Sequence, residues 1–455
     1  MNAAAELDEL LANPGRHAYA YAYPHKSAYR PLEPAPRLDS VWASENRENL
    51  FLYVHVPFCE FRCGFCNLFT LAHQPDNGKE RGESLIGRYL KSLKRQAEQL
   101  DVLLGERRFV RFAMGGGTPT ILAPAELDDL LNTVRDVLGA QLDILPGSVE
   151  VSPDTATPEK LQVLRDHGIH RISIGVQSFF EKETTAVFRP QAPGVLESAL
   201  GRIRNSFACL NIDLMYGLPG QTMKSWIASL ESALRFDPDE LFLYPMYVRP
   251  LTGFGKQAGV EQGPEAGAFY GERIQFYRAG RDFLLGRGYE QFSMRLFRKR
   301  NAQGDAFGDY QCQQDGMVGL GCGARSYTRD LHYSFSYAVS RRQTRAILED
   351  YIESDDFSRA THGYRLNPEE RRRRYVIQSL LNADGLSREN YEHEFGGSLT
   401  GDFPELDALL ERGLAGPDSG NIWLLTEGGF ENSDAIAPFL FSSRIRDRME
   451  EYVLK

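Results

Sequence analysis

The chain has 455 residues, 42% of them hydrophobic, and a formal charge of −10. That is enough apolar material for a sizeable core in two or three domains, and too acidic a balance for a nucleic-acid partner, whose phosphates are bound by basic surfaces. With six cysteines in so long a chain no disulfide framework is implied, which leaves small-molecule chemistry with a metal or redox centre. No apolar run reaches spanning length and "MNAAAELDEL" is acidic rather than basic-then-apolar, so the expectation is a cytoplasmic protein with neither signal peptide nor membrane span.

Residues 1–49 hold no long periodic pattern. "YAYAYPHKSAYRPLEPAPR" alternates Tyr19, Tyr21 and Tyr23 ahead of a Pro-rich stretch, which predicts an extended strap with its tyrosines on one face. His25, Lys26 and Arg30 follow, donors suited to carboxylates. Over residues 50–290 short β-rich runs, "LFLYVHV", "RFVRFAM", "SVEVS", "RISIGV", "CLNIDLMYGL" and "ELFLYPMYV", alternate with stretches of helical periodicity. Such alternation predicts parallel βαβ units and an α/β fold, a partial (β/α)6 barrel of the TIM type with its functional loops at the strand C-termini. Residues 265–287 read as helical. The basic "MRLFRKRN" and glycine-rich "GLGCGARS" come next, and 291–365 is expected to cap the barrel on its substrate side. Residues 366–455 form a small, mostly helical C-terminal domain opening near Asn367, with "FPELDALLERGLAG" as a helix and "NIWLLTEGG" in a hairpin. The tetra-arginine at 371–374 reads as a solvated helix face. Arg295, Arg298, Lys299 and Arg300 either grip carboxylates or lie in a solvated loop.

The loop after the first strand, "PFCEFRCGFC", spaces Cys59, Cys63 and Cys66 as C-x3-C-x2-C. Zinc usually takes four ligands as two spaced pairs, and here one partner is missing. An iron–sulfur cube held by three thiolates fits better, with its fourth iron open to a small chelating ligand; a structural or zinc-binding triple is the other reading. Four further stretches meet at the same rim of the barrel. "GGGTPT", Gly115 to Thr120, closes the second strand, where backbone can approach a ligand. "EVSP" puts Glu150 at the third strand, where a carboxylate can accept both hydroxyls of a ribose, "IGVQSF" puts Gln177 at the fourth and "NIDLMYGLPGQT" puts Asp213 at the fifth.

The cysteine spacing resembles that of the radical S-adenosylmethionine enzymes. The ordered set, with "YVHVPFC" ahead of the loop and "RRYVIQSLLNADGLS", "FGGSL", "LLERGLAG" and "WLLTEGG" behind, is similar to the oxygen-independent coproporphyrinogen III oxidase family, which includes haem chaperone-like members. The resemblance covers roughly residues 50–440. It implies a [4Fe-4S] cluster on Cys59, Cys63 and Cys66, and S-adenosylmethionine, one or two molecules, on Tyr53, Phe65, Gly116, Gly117, Thr118, Glu150, Gln177, Arg189 and Asp213. It also implies reductive cleavage to a 5'-deoxyadenosyl radical, a small anionic, tetrapyrrole-like substrate, and a reduced flavodoxin- or ferredoxin-like electron donor. Within the resemblance, methyl transfer with two cofactors and non-catalytic haem delivery stand as alternatives to oxidation of the coproporphyrinogen type.

The chain departs from the family pattern at three places. Leu68 stands where the decarboxylase carries another cysteine, "YQCQQDGMVGLG" lacks the histidine of chaperone-like relatives, and "SMRLFRKRN" replaces a run of small neutral residues. His55 reads equally as a hydrogen-bonded core residue or a catalytic one. Cys209, Cys312 and Cys322 read as single thiols outside the cluster loop.

Overall fold

The computed structural model describes residues 3–12, 22–72, 83–257, 259, 270–300 and 315–454; Tyr19, Tyr21 and Cys312 lie outside them. The six expected strands form as β1 (Leu50–Val56), β2 (Phe109–Gly116), β3 (Gly147–Val151), β4 (Arg171–Gln177), β5 (Cys209–Tyr216) and β6 (Glu240–Pro245). They pair in that order, all parallel. Alternate side chains divide between two faces. Leu52, Val54, Phe112, Val149, Ile172, Ile174, Leu210 and Ile212 point to the helix layer and are buried in one large core, while Tyr53, Ala113, Glu150, Ser173, Asn211 and Asp213 point to the lumen. The covering helices start where their sequences dictate. Ser84 accepts from the Gly87 amide at 3.0 Å at the head of Leu85–Leu104, and Pro124, Pro158 and Pro193 open three others at a position where the missing N–H costs nothing.

The segment expected to cap the barrel instead extends its sheet at both ends, and with Arg30–Pro31 from the N-terminal segment the sheet has 13 strands. Beyond β6 come β7 (Tyr289–Gln291) and β8 (Leu296–Lys299), with β8 antiparallel to β6. Beyond β1, β9 (Met317–Leu320) runs parallel, Gly319 opposite Tyr53, followed by antiparallel β10 (Arg325–Tyr327), β11 (Leu331–Ser334) and β12 (His362–Arg365). Gly319 is needed there, since a Cβ would lie 2.4 Å from the Arg325 carbonyl.

The N-terminal segment is not extended throughout. Ala3–Ala12 is a helix, and Leu7, Tyr23 and Ala28 are buried in the same core as the C-terminal domain. The Tyr23 hydroxyl donates to Glu370, and Arg30–Pro31 adds a final antiparallel pairing to β12. The Asn367 side chain caps helix Pro368–Leu380, accepting from the Glu370 amide at 2.8 Å, and further on Ala415–Pro417 pairs with Ile422–Leu425 as a hairpin. The tetra-arginine is not a solvated face. Arg374 is buried, donating to the Thr328 carbonyl at 3.1 Å and lying 3.0 Å from His332 Nε2, and Arg371 and Arg373 bind Asp330 and Glu405. No helix among the described residues is long and apolar enough to cross a membrane.

Candidate active site

The cysteine loop leaves β1 at Pro57 and returns at Leu71–Ala72, which pairs in parallel with Phe58–Cys59. Its middle is pinned through Gly64, whose amide donates to the Val187 carbonyl at 2.8 Å and whose carbonyl accepts from Phe254 at 2.7 Å. A Cβ on Gly64 would lie 2.5 Å from the Phe188 ring, so only glycine permits this approach. Each thiol has a donor beside it. Arg189 Nη1 is 3.2 Å from Cys63 Sγ, Thr118 Oγ1 is 3.8 Å from Cys59 Sγ, and Thr70 Oγ1 is 3.8 Å from Cys66 Sγ.

The glycine turn is clamped to the base of that loop. Gly117 donates to the Val56 carbonyl and Thr118 to the Phe58 carbonyl, both at 2.7 Å, while Gly116 has φ +103° and donates to Glu150 Oε2 at 3.1 Å. The Glu150 carboxyl occupies the space a Cβ of Gly115 would take, at 2.6 Å. Glu150, Ser173, Asn211 and Glu240 form one rung across β3 to β6. Asp213 lies two residues along β5, taking a 2.8 Å bond from Asn211 Nδ2 and a 3.4 Å bond from Ser173 Oγ. Burial and the charge of Asp213 push Glu150 up to about 7, and burial pushes Asp213 up to about 6. Glu150 nevertheless keeps an accessible surface. It is surrounded by protein at a distance and lines an open lumen rather than packing in the core. Gln177 ends β4 at φ +68°, and its amide with Arg189 closes over Gly175, whose carbonyl accepts from Arg189 Nη2 at 2.5 Å.

Phe65 is half-buried against Val187, Met215, Leu218 and Met246, and Tyr53 stands near the strap with Ala22, Met317 and Tyr327. His55 is a packed residue: Nε2 is 2.9 Å from the Phe69 carbonyl, the ring fills the space of Cβ atoms on Gly116 and Gly323, and burial lowers it to about 4, so it stays neutral. Arg298 pairs with Glu240 at 2.7 Å and Lys299 with Asp237 at 2.5 Å, so the basic run grips the protein's own carboxylates. Arg295 likewise reaches Asp434 and the Tyr247 hydroxyl, both at 2.7 Å. Cys209 and Cys322 are fully buried singly. Ser173 and Asn211 were not read from the sequence as site residues, although Asn211 lies two residues before Asp213 and the strand period would have found it.

Lys26 brings the strap to this place. Its ammonium sits 3.7 Å above the Tyr337 ring, and the Tyr337 hydroxyl donates to the carbonyl of Asn67, next to Cys66. Burial and the charge of Arg325 push Lys26 well below the ordinary lysine range, with Arg249 adding to this and Cys66 opposing it.

The donor set suits an iron–sulfur cluster. Burial, and then Cys66, pushes the Cys59 thiol up to about 12. Thiolates this crowded need cationic iron among them and hydrogen-bond donors around them, and Arg189, Thr118 and Thr70 supply the donors. Among the described residues no three His, Cys, Asp or Glu side chains are gathered tightly enough to ligate one metal ion directly. A cluster differs in needing its thiolates spread around a body of several atoms.

The sequence profile of the radical SAM superfamily matches residues 53–233. The chain is similar to the heme chaperone HemW of Bacillus subtilis (strain 168), 26% identical over 395 residues that cover 85% of this chain and 98% of that one. It is 30% identical over 384 residues to the oxygen-independent coproporphyrinogen III oxidase of Pseudomonas aeruginosa, covering 80% of this chain and 78% of that one. Of solved structures, coproporphyrinogen III oxidase (HemN) from Escherichia coli, a radical SAM enzyme, superposes with a TM-score of 0.77 over 93% of this chain and 96% of its own, at 24% identity, and shows a shared fold.

Proposed function

From the premise that the chain belongs to the radical SAM superfamily, in the family of oxygen-independent coproporphyrinogen III oxidases and HemW proteins, we propose that it is an oxidoreductase of the coproporphyrinogen oxidase type, acting on an anionic, tetrapyrrole-like substrate. Cys59, Cys63 and Cys66 would hold a [4Fe-4S] cluster. Bound there and reduced by one electron, it supplies the reductive cleavage of S-adenosylmethionine to methionine and a 5'-deoxyadenosyl radical. Everything else falls to the chain. Arg189, Thr118 and Thr70 direct N–H and O–H groups at the three cysteine sulfurs. The Gly115–Gly117 turn lets the Glu150 carboxyl and the His55 ring pack directly against backbone, and Glu150 and Asp213, with Gln177 at the end of β4, offer acceptors to a ribose and an ammonium group. Tyr53 and Phe65 provide apolar surface at either side.

The observation that carries this reading is that two segments distant from the cysteine loop direct donors at its thiols, the glycine turn at Cys59 through Thr118 and Arg189 at Cys63. The anionic substrate is supported by the cationic groups of Arg249 and Arg325, close enough to Lys26 to lower its proton affinity, in a chain whose net charge is negative. Because the strap is woven into the C-terminal core, Lys26→Gln tests its role better than deletion. Cluster content and uncoupled cofactor cleavage should persist while substrate conversion falls. The test of the reaction itself is anaerobic incubation of reconstituted protein with reductant and S-adenosylmethionine, followed by mass spectrometry for 5'-deoxyadenosine, methionine and decarboxylated porphyrinogen. Absence of 5'-deoxyadenosine would sink it.

One observation favours a second reading. Leu68, 45% exposed, occupies the place of a cysteine that the family's decarboxylases carry, and the match to HemW spans nearly that whole protein. Stoichiometric haem binding with no conversion of porphyrinogen would make the chain a haem-delivery protein.

A further inference from the structure

Where the strap meets β12 and the last helix, Ser443–Glu450, there is an open pocket of about 320 Å³ with Arg30, Arg365, Arg444 and Arg448 in its walls, Tyr364 at its base and one carboxylate, Glu33. Four guanidinium groups around one concavity are out of keeping with a chain of charge −10. Among the described residues, Arg365, Arg444 and Arg448 form no ion pair. Arg448 Nε donates to the Ala28 carbonyl at 3.0 Å, and Arg444 and Arg448 lie 5.8 and 5.5 Å from the Tyr364 ring centre. Arg30 makes one long ion pair, 3.7 Å to the largely exposed Glu451, and otherwise donates to the neutral carbonyls of Ser27, Tyr29 and Arg448 at 2.8, 2.9 and 2.5 Å. Arg365 and Arg444 face solvent. Like charges held together with so little counter-charge repel, and that repulsion is relieved when an anionic surface arrives.

A bonded route leads inward from this pocket. Arg30 lies 5.7 Å from the Tyr452 ring centre, the Tyr452 hydroxyl donates to the Tyr337 carbonyl at 3.3 Å, and the Tyr337 hydroxyl donates to the Asn67 carbonyl beside Cys66. We propose that this arginine-lined pocket is the docking surface for an acidic one-electron donor protein, and that the electron enters through Tyr452 and Tyr337 to the cysteine loop. The step transfers one electron only: the donor is oxidised by one, the cluster passes from its 2+ to its 1+ state, and no proton or atom moves. This rests on the reading that the loop holds a cluster. A small anion would account for the arginines but not for the route behind them.

The test uses reconstituted holoprotein and fully reduced flavodoxin, an acidic flavin protein. Stopped-flow bleaching of the cluster gives the reduction rate, and calorimetric titration of flavodoxin gives affinity apart from any redox event. Arg444→Glu and Arg365→Glu should slow reduction by flavodoxin roughly tenfold or more at low ionic strength, with Arg444→Gln intermediate and reduction by dithionite unchanged. Tyr452→Leu, which removes the ring but no charge, should keep the affinity and slow the reduction. Charge-reversed variants with wild-type rate and affinity, equal slowing with dithionite, or tight binding of inorganic phosphate that leaves flavodoxin rates untouched would each overturn the proposal. The titration judges the surface by itself, so failure of the cluster reading, seen as reconstitution without iron and sulfide, is told apart from failure of this one.

Discussion

Two carboxylates on one rung of the same barrel, Glu240 at the start of β6 and Glu150 near the end of β3, have opposite surroundings. Glu240 is 1% exposed and held by Arg171 and Arg298, each through two nitrogens at 2.7–2.9 Å, and those charges hold it below the usual carboxylate range despite burial. Glu150 has one amide donor and a second carboxylate nearby, and is pushed up to about 7. A carboxylate with every oxygen paired can only hold the wall together. One left short of donors at an open rim is available to a ligand. In barrels of this kind the strand C-termini carry chemistry and the N-termini carry stability, and here the division runs along a single row of paired residues.

The comparison can be broken at either end. The largest effect belongs to the rim: Cys59→Ala, Cys63→Ala or Cys66→Ala should abolish a cluster that otherwise approaches about four irons and four sulfides per chain, with the far-ultraviolet dichroism of the fold retained. Retention of iron in any of the three would defeat the assignment. At the opposite end Glu240→Ala leaves Arg171 and Arg298 without their shared anion in the wall, and should lower stability by about 3–5 kcal/mol in denaturant unfolding while any chain that remains folded still takes up iron. A loss below about 1 kcal/mol would mean that these arginines reach water.

Glu150→Gln is expected to weaken S-adenosylmethionine binding by about 1.5–3 kcal/mol, or roughly ten- to a hundredfold, while leaving the cluster in place. It also sharpens the comparison through pH. With the folded value near 7 against the usual 4.5, the folded chain keeps this proton between those values while the unfolded chain has lost it. Stability of the apoprotein therefore falls as pH rises through that window, and the fall is complete above 7. In the glutamine variant this contribution should vanish, and identical profiles of the two proteins would show that Glu150 is not perturbed. The smallest effect is expected away from both ends, where Cys209→Ala and Cys322→Ala should keep the full iron content.

The barrel was legible because its signals are local. "LFLYVHV" is β1 residue for residue, and the cysteine spacing, the glycine turn and the polar residues near the strand ends need no distant partner to be recognised. What could not be read depends on partners far along the chain. The tetra-arginine looks solvated until Thr328, His332 and Glu405 are brought to it, and "MRLFRKRN" looks like a basic loop until β8 aligns Arg298 with Glu240. The N-terminal helix is a different case. "AAAELDELLA" contains good helix formers, but ten residues are too few to be helical alone, and it forms because Leu7 is buried in the C-terminal core, with the pairs of Asp8 with Arg412 and Glu6 with Arg446 at its rim.

Those same pairs bear on the order of assembly. The Tyr23–Glu370 hydrogen bond joins residues 347 apart, and the Glu6–Arg446 pair joins residues 440 apart. The logarithmic cost of closing such loops is modest, but the delay is not, because on the ribosome the first segment emerges with its partners still untranslated. Leu7, Tyr23 and Ala28 must wait, apolar and uncovered, through synthesis of the entire barrel. Chains stopped near residue 366 would carry a finished barrel on which Arg30–Pro31 can still pair with β12, but an N-terminal helix whose C-terminal core is missing, and they are expected to aggregate through that helix even though every barrel strand is present.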